Sequence, residues 1–317
     1  MKVVITGAAG FVGDAVRREL ESRGHEVVGL DIAADETRGI HRADVSEPGA
    51  GAEHFAGADA VVHTAALVSY AMTHEDAFAV NVEGTQNILD TARNAGVRRF
   101  VHVSSVVVYP DVPRMLDEDS PIDVSGVPYM DTKVVSEIPV YRAMIAGDLE
   151  CSIVRPGDIY GPRSRPWTAL PYEAMKKKQF VLPKMGKGHF TPVFIDDLAR
   201  GIAAAVESPN APGEVFNITD GTVVTCKEFF TLLARHAGTG WFPSLPSRLA
   251  LGLATALDRI ERLRGRRTES NPTTIRYFMR ETGGYGIGKA RKLLGYEPQV
   301  GLEEGQRRAG EWCRRQG

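Results

Sequence analysis

The stretch Lys2-Val3-Val4-Ile5-Thr6-Gly7-Ala8-Ala9-Gly10-Phe11-Val12-Gly13 decides the fold class. Its first half is a β-branched run of the kind that forms a buried strand. Its second half sets glycines at 7, 10 and 13, although glycine is entropically poor in both strands and helices. Three in one turn make sense where something must come closer to the backbone than a side chain allows. A strand, this turn and then a helix form a phosphate-binding corner. Gly7 permits the turn, Gly10 admits a diphosphate, and Gly13 lets the helix pack on the strand. Phe11 and Val12 lie in the same corner. The spacing is G-x-x-G-x-x-G, a variant of the more usual G-x-G-x-x-G.

Asp31 ends the second predicted strand, HEVVGLD. An acid there accepts hydrogen bonds from the adenosine ribose hydroxyls of a dinucleotide, and it repels a 2′-phosphate. NAD is therefore favoured over NADP. The plainer reading of Asp31 is a residue that ends a strand and starts a turn.

The rhythm continues outward. Glu26–Leu30, Ala60–His63, Phe100–Ser104 and Cys151–Arg155 read as further strands, with helices predicted over Phe11–Ser22, Glu75–Ala95 and Tyr129–Ala146. Alternation at this spacing predicts an α/β fold, a doubly wound parallel sheet of Rossmann type. After Pro162 the alternation stops, and Pro166, Pro171 and Pro183 punctuate the chain. Helices are predicted again at Asp196–Glu207, Thr225–Ala237, Ser247–Leu263, Ile287–Leu294 and Leu302–Arg314; Thr225 and Glu228 form a capping box at the second of these. The organisation expected is a dinucleotide-binding domain over 1–165 and a smaller, mixed α/β substrate domain over 166–317, some of whose segments return to the first sheet.

The 317 residues carry a net charge of -2 and are 43% hydrophobic, so no basic surplus suggests nucleic acid. Cys151, Cys226 and Cys313 are far apart and without metal-ligand spacing, which reads as reduced thiols in a cytoplasmic protein. No apolar run approaches the ~18 residues of a membrane span, and no signal peptide is expected ahead of the first strand.

Two further segments bring chemistry. In PYMDTK, Tyr129 and Lys133 stand four apart, on one face of a helix. A neighbouring ammonium is expected to lower the phenol below its usual value near ~10, so that it exchanges a proton while hydride moves. FVHVSSVVVYP ends a strand with Ser104 and Ser105, either of which can donate to a substrate oxygen, depending on strand parity.

With these segments in hand, the chain resembles the extended short-chain dehydrogenase/reductase, or NAD-dependent epimerase/dehydratase, family. TGAAGFVG, Asp31, Asp44-Val45, VVHTAA at 61–66, NVEGT at 81–85, VSSVVVY at 103–109, YMDTK, RPGDIYGP at 155–162, IDDLA at 195–199 and LGYEP at 294–298 carry the resemblance in order. It implies Ser105 as the substrate-oxygen donor, Tyr129 as acid/base, and Lys133 on the nicotinamide ribose. It also implies Asp44 and Val45 beside the adenine, Ala65 and Ala66 along the cofactor, and Asn81 bracing that neighbourhood. Such folds commonly form homodimers through two helices per subunit.

Within the family, GEVFNITDG and YGIGKARKLLGYEPQVGLEEG look closer to the 3β-hydroxysteroid and sterol dehydrogenase branch. Asp158 replaces the asparagine common in nucleotide-sugar enzymes, and GKGHFTPVFIDDLA lacks their arginine. The expected activity is hydride transfer between NAD and a secondary alcohol or ketone of a hydrophobic, sterol-like small molecule. The alternatives are a nucleotide-sugar 4-epimerase and, behind it, a dinucleotide sensor without chemistry. Asp158 and Tyr160 are candidate pocket residues. Between Trp241 and Arg267, Leu249, Leu253, Leu257 and Ile260 share a helical face followed by clustered arginine. Packing of that face on the protein's own core is favoured over a substrate lid or contact with a membrane surface.

Overall fold

The computed structural model describes residues 1–316. The β-branched runs become β1 (Lys2–Thr6), β2 (Glu26–Asp31), β3 (Ile40–Arg42), β4 (Ala60–His63), β5 (Arg99–Val103) and β6 (Glu150–Pro156). Later come the shorter β7 (Asp158–Tyr160), β8 (His189–Phe190), β9 (Pro192–Phe194), β10 (Val215–Ile218) and β11 (Val224–Thr225). The main sheet has seven strands in the order β3-β2-β1-β4-β5-β6-β10. Every pair in it is parallel. β4 and β5 are buried along their whole length, as strands covered on both faces must be. The strand order reverses between β1 and β4, and that crevice is where an open α/β sheet binds its ligand.

The helices are α1 (Phe11–Ser22), α2 (His74–Phe78), α3 (Gly84–Asn94), α4 (Pro128–Ala146), α5 (Leu170–Lys176), α6 (Ile195–Glu207), α7 (Cys226–Ala237), α8 (Ser247–Leu263), α9 (Pro272–Tyr277), α10 (Gly288–Leu294) and α11 (Leu302–Gln316). The capping box on α7 is present, with Thr225 and Glu228 reciprocally bonded. The helix predicted over Glu75–Ala95 is interrupted: a π-helical turn at Ala79–Glu83 separates α2 from α3. Pro171, which read as a break, instead lies in the first turn of α5, as Pro128 and Pro272 do in α4 and α9. A first-turn residue needs no N–H partner, and the ring fixes a helical φ.

The second half joins the first through β10, which pairs with β6 from Val215 to Ile218. One hydrophobic cluster runs from Val3 and Ile5 through Val154 to Phe190, Phe229 and Phe230. The remaining short strands pair as β7 with β9 and β8 with β11. One sequence expectation fails clearly. Only Ala250 and Ala254 of α8 are buried, whereas Leu249, Leu253, Leu257 and Ile260 face outward.

Candidate active site

The glycine corner is built as its spacing requires. Gly7 sits at φ +71°, and a Cβ there would come within 2.7 Å of the Ala65 backbone nitrogen. A Cβ on Gly13 would stand 2.1 Å from the Gly7 carbonyl oxygen. A Cβ on Gly10 would be 3.0 Å from that same oxygen, and Gly10 caps α1 with no side-chain bond. The first amides of α1 are therefore left for a ligand, at the positive end of its dipole.

Asp31 closes the corner from β2. Its Oδ2 accepts from Ala9 N at 3.0 Å and its Oδ1 from Ala33 N at 2.9 Å. Asp44 accepts from the Ser46 amide and hydroxyl, which hold its carboxyl below the usual range. Val45 is buried, and its methyl packs where Gly84 has no side chain. Asn81 lies in the π turn, where the backbone supplies an unusual direction. Its side chain bonds both the Leu67 amide and carbonyl, and donates to Thr132 Oγ1 at 3.0 Å. It thus ties the loop that begins at Thr64, with Ala65 and Ala66, to α4.

α4 brings Tyr129 and Lys133 against the end of β5. Lys133 is buried, and its Nζ donates to Val103 O at 2.9 Å. Burial pushes its pKa down to about 8, against a smaller opposing pull from Glu137. Ser105 follows β5 in extended backbone, and its Oγ accepts from Val107 N at 3.3 Å. Of the serine pair, Ser105 is the one whose hydroxyl counters the rise of the Tyr129 phenol, whereas the buried Ser104 hydroxyl has no partner among the described residues. The expected lowering of the phenol is not made by the protein itself. Burial pushes Tyr129 up to about 12, opposed by the nearby Ser105 hydroxyl.

Beneath these groups lie His63 and His102, stacked 5.6 Å apart. His63 bonds Thr6 and Thr85, and His102 bonds Ser136. Burial, with the Lys133 charge second, drives His63 to about 3 and His102 well below its ordinary value. Both rings are neutral props.

Other contacts are invisible in the sequence. Arg155 makes a two-pronged pair with Glu137, at 2.9 and 2.6 Å, with both side chains buried. It also donates to the hydroxyls of Tyr109 and Tyr141. This network clamps α4 to β6 one turn beyond Lys133. Beside Tyr129 stands an aromatic wall: Tyr70 meets it edge-on at 6.1 Å, Tyr277 lies 5.7 Å from Tyr70, and Trp167 stacks on Tyr277 at 5.3 Å. Arg280 lies 4.0 Å from the centre of the Tyr277 ring.

The two remaining sequence candidates are placed differently from expectation. Asp158 is buried, with its oxygens engaged by Arg280, Tyr277 and Thr191. It anchors the wall from behind. Tyr160, expected to line a pocket, is core: it is 1% exposed, and its ring packs edge-on against Phe194 and Phe229.

A glycine cradle at a helix start, an acid at the end of β2 and a Ser-Tyr-Lys set at the end of β5 fit an adenine dinucleotide. A family model described as the NAD dependent epimerase/dehydratase family matches residues 3–219. The chain belongs to that family.

Similar proteins span its members' chemistry. The chain is 29% identical to a UDP-glucose 4-epimerase of Mycolicibacterium smegmatis, over 99% of both chains. It is also 29% identical to a 3 beta-hydroxysteroid dehydrogenase/Delta 5→4-isomerase of Mycobacterium tuberculosis, over 94% of this chain and 86% of that one. Among solved structures, MoeE5 in complex with UDP-glucuronic acid and NAD superposes with a TM-score of 0.80 over 100% of each chain, at 23% identity. That likeness shows the fold. The chain is an NAD-dependent enzyme of the epimerase/dehydratase family.

Proposed function

We propose that the enzyme interconverts a secondary alcohol and its ketone on a hydrophobic, sterol-like molecule, with Ser105, Tyr129 and Lys133 as the catalytic set. NAD, when bound, takes or returns the hydride. The glycine corner, Phe11, Val12 and the amides of α1 hold its diphosphate, Asp31 its adenosine ribose, Asp44 and Val45 its adenine, and Lys133 its second ribose. Ala65, Ala66 and Asn81 complete that wall. Tyr129 Oη takes the alcohol proton during oxidation and gives it back during reduction. Ser105 donates to the substrate oxygen as charge develops on it. Because burial raises the phenol, cationic charge beside Tyr129 has most effect in the loaded site, where Lys133 contributes.

The observation that carries the substrate class is the wall of Tyr70, Tyr277 and Trp167 beside Tyr129. Two cations near it are already spent: Arg280 pairs with Asp158, and Lys184 with Glu281. A nucleotide diphosphate calls for free cations, whereas a flat apolar ring system calls for aromatic faces. The second reading, a nucleotide-sugar 4-epimerase, is supported by the similarity to UDP-glucose 4-epimerase.

A screen for NADH formation with sterols, aromatic secondary alcohols and UDP-sugars separates the two. Net NADH from a hydrophobic alcohol is expected. UDP-sugar interconversion without net NADH, and silence on the alcohols, would overturn the proposal. A homodimer belongs to the same reading: Phe78 of α2 and Ile138 and Ile145 of α4 are exposed apolar residues, and sedimentation reads the assembly state.

A further inference from the structure

We propose that α8 and the arginine-rich turn after it seat the protein on an anionic lipid bilayer surface. α8 packs on the protein through Ala250 and Ala254. At 100° per residue, Leu249, Leu253, Ala256, Leu257, Ile260 and Leu263 share a second face, turned outward. The five large residues among them are between 45% and 89% exposed. Scattered exposed leucines need no explanation, but a continuous stripe does.

The third face of the helix carries Arg248, Arg259 and Arg262, and the turn that follows adds Arg264, Arg266 and Arg267. Asp258 neutralises Arg262, and Glu261 neutralises Arg264. Among the described residues, Arg248, Arg259, Arg266 and Arg267 have no carboxylate within salt-bridge distance, so their charge is free to meet another surface. Trp241, 86% exposed in the segment leading to α8, is of the type favoured at the boundary between lipid and water.

Charge selects the occupant. A second copy packed two-fold on this face would bring the same unpaired arginines toward each other. A lipid surface of negative charge satisfies the arginines and takes the leucines into the acyl boundary at once. No helix among the described residues is long and apolar enough to cross a membrane, so the contact is interfacial. The docking face is also tied to the site. Just past α8, Glu269 accepts from the Tyr70 amide at 3.1 Å and Asn271 donates to the Tyr70 carbonyl at 3.1 Å. One short segment therefore joins the lipid-facing helix to the aromatic wall.

The test is co-sedimentation of the full chain with phosphatidylcholine vesicles, with and without phosphatidylglycerol. Binding is expected only with phosphatidylglycerol, and it weakens with added salt. The double variant Leu253→Gln/Leu257→Gln should bind at least ~tenfold more weakly. Arg259→Gln and Arg266→Gln should each cost roughly fivefold. All keep the wild-type melting temperature, because the replaced side chains face outward. Equal pelleting with neutral and anionic vesicles, or leucine variants that bind as well as the wild type, would overturn the assignment. So would a wild-type dimer in solution that the leucine variant dissociates. Vesicle binding is read without turnover, so its failure leaves the proposed chemistry untouched.

Discussion

Replacing Lys133 by methionine probes the electrostatic cost on which the site rests. The ammonium is 5% exposed, and burial depresses its pKa from the ordinary 10.5 to about 8. Below pH 8 both folded and unfolded chains carry the proton, so the fold bears the full cost of a buried cation. Between pH 8 and 10.5 the folded chain releases the proton while the unfolded chain retains it, and wild-type stability rises through that window. The gap of 2.5 units is worth about 3 kcal/mol at ~1.4 kcal/mol per unit. For a chain of this length that is about 5 °C in Tm, using the entropy of unfolding per residue. Methionine keeps the bulk and removes the titration. Melting temperatures of both proteins from pH 7 to 10.5 should therefore show the variant's advantage over wild type shrinking by about 5 °C. Groups common to both cancel, including Tyr129 and Cys151: raised to about 12 from ordinary values of 10 and 9, they lower the stability of both proteins alike as pH rises. The absolute offset also contains the orphaned Val103 carbonyl, so the slope is the diagnostic. A difference that is flat with pH, or that grows, would refute the reasoning.

Three further outcomes follow from the same geometry. Tyr129→Phe should lower turnover by about two to four orders of magnitude while calorimetric NAD binding stays near wild type. Glu137→Gln leaves the buried Arg155 guanidinium without its counter-charge and should cost about 3–5 kcal/mol, read by urea unfolding; adding Arg155→Met should recover much of it. Asp31→Ala removes the acceptor for Ala9 N and the repulsion of a 2′-phosphate, so NAD binding should weaken roughly tenfold relative to NADP, measured by titration calorimetry with each.

The parallel sheet was legible because its signals are local. A β-branched run buried on both faces, followed by glycines that cannot bear a Cβ, admits few arrangements. The same is true of the Thr225–Glu228 cap, whose partners are three residues apart. What escaped were features set by distant partners. The π turn at Ala79–Glu83 slips the helical periodicity by a single residue, about 100°, too small an interruption to stand out in one amphipathic stretch. Its purpose appears only when Asn81 is seen bridging Leu67 and Thr132. Tyr160 misled for another reason: it shares a face of β7 with Asp158, yet Arg280, Tyr277 and Thr191 meet Asp158 while Phe194 and Phe229 cover Tyr160.

The chemistry of the site follows the same division. Tyr129 and Lys133 are one helical turn apart, and the pair is visible in six letters of sequence. Whether the pair titrates as needed is decided by residues far along the chain. Glu137 would otherwise be a second carboxylate four residues from Lys133, free to hold its proton. Arg155, brought in by β6, engages both of its oxygens. Similarly, Asp158 would be a negative charge opposing phenolate formation at Tyr129, an effect that persists weakly; Arg280, reached across more than a hundred residues, pairs with it. The two arginines thus keep nearby carboxylates from setting the proton affinity of the proposed catalytic pair. On this reasoning the arginine clamps serve that proposed pair as positioning residues. A bare Tyr-x-x-x-Lys helix grafted without them would hold its lysine proton too tightly and its tyrosine proton tighter still.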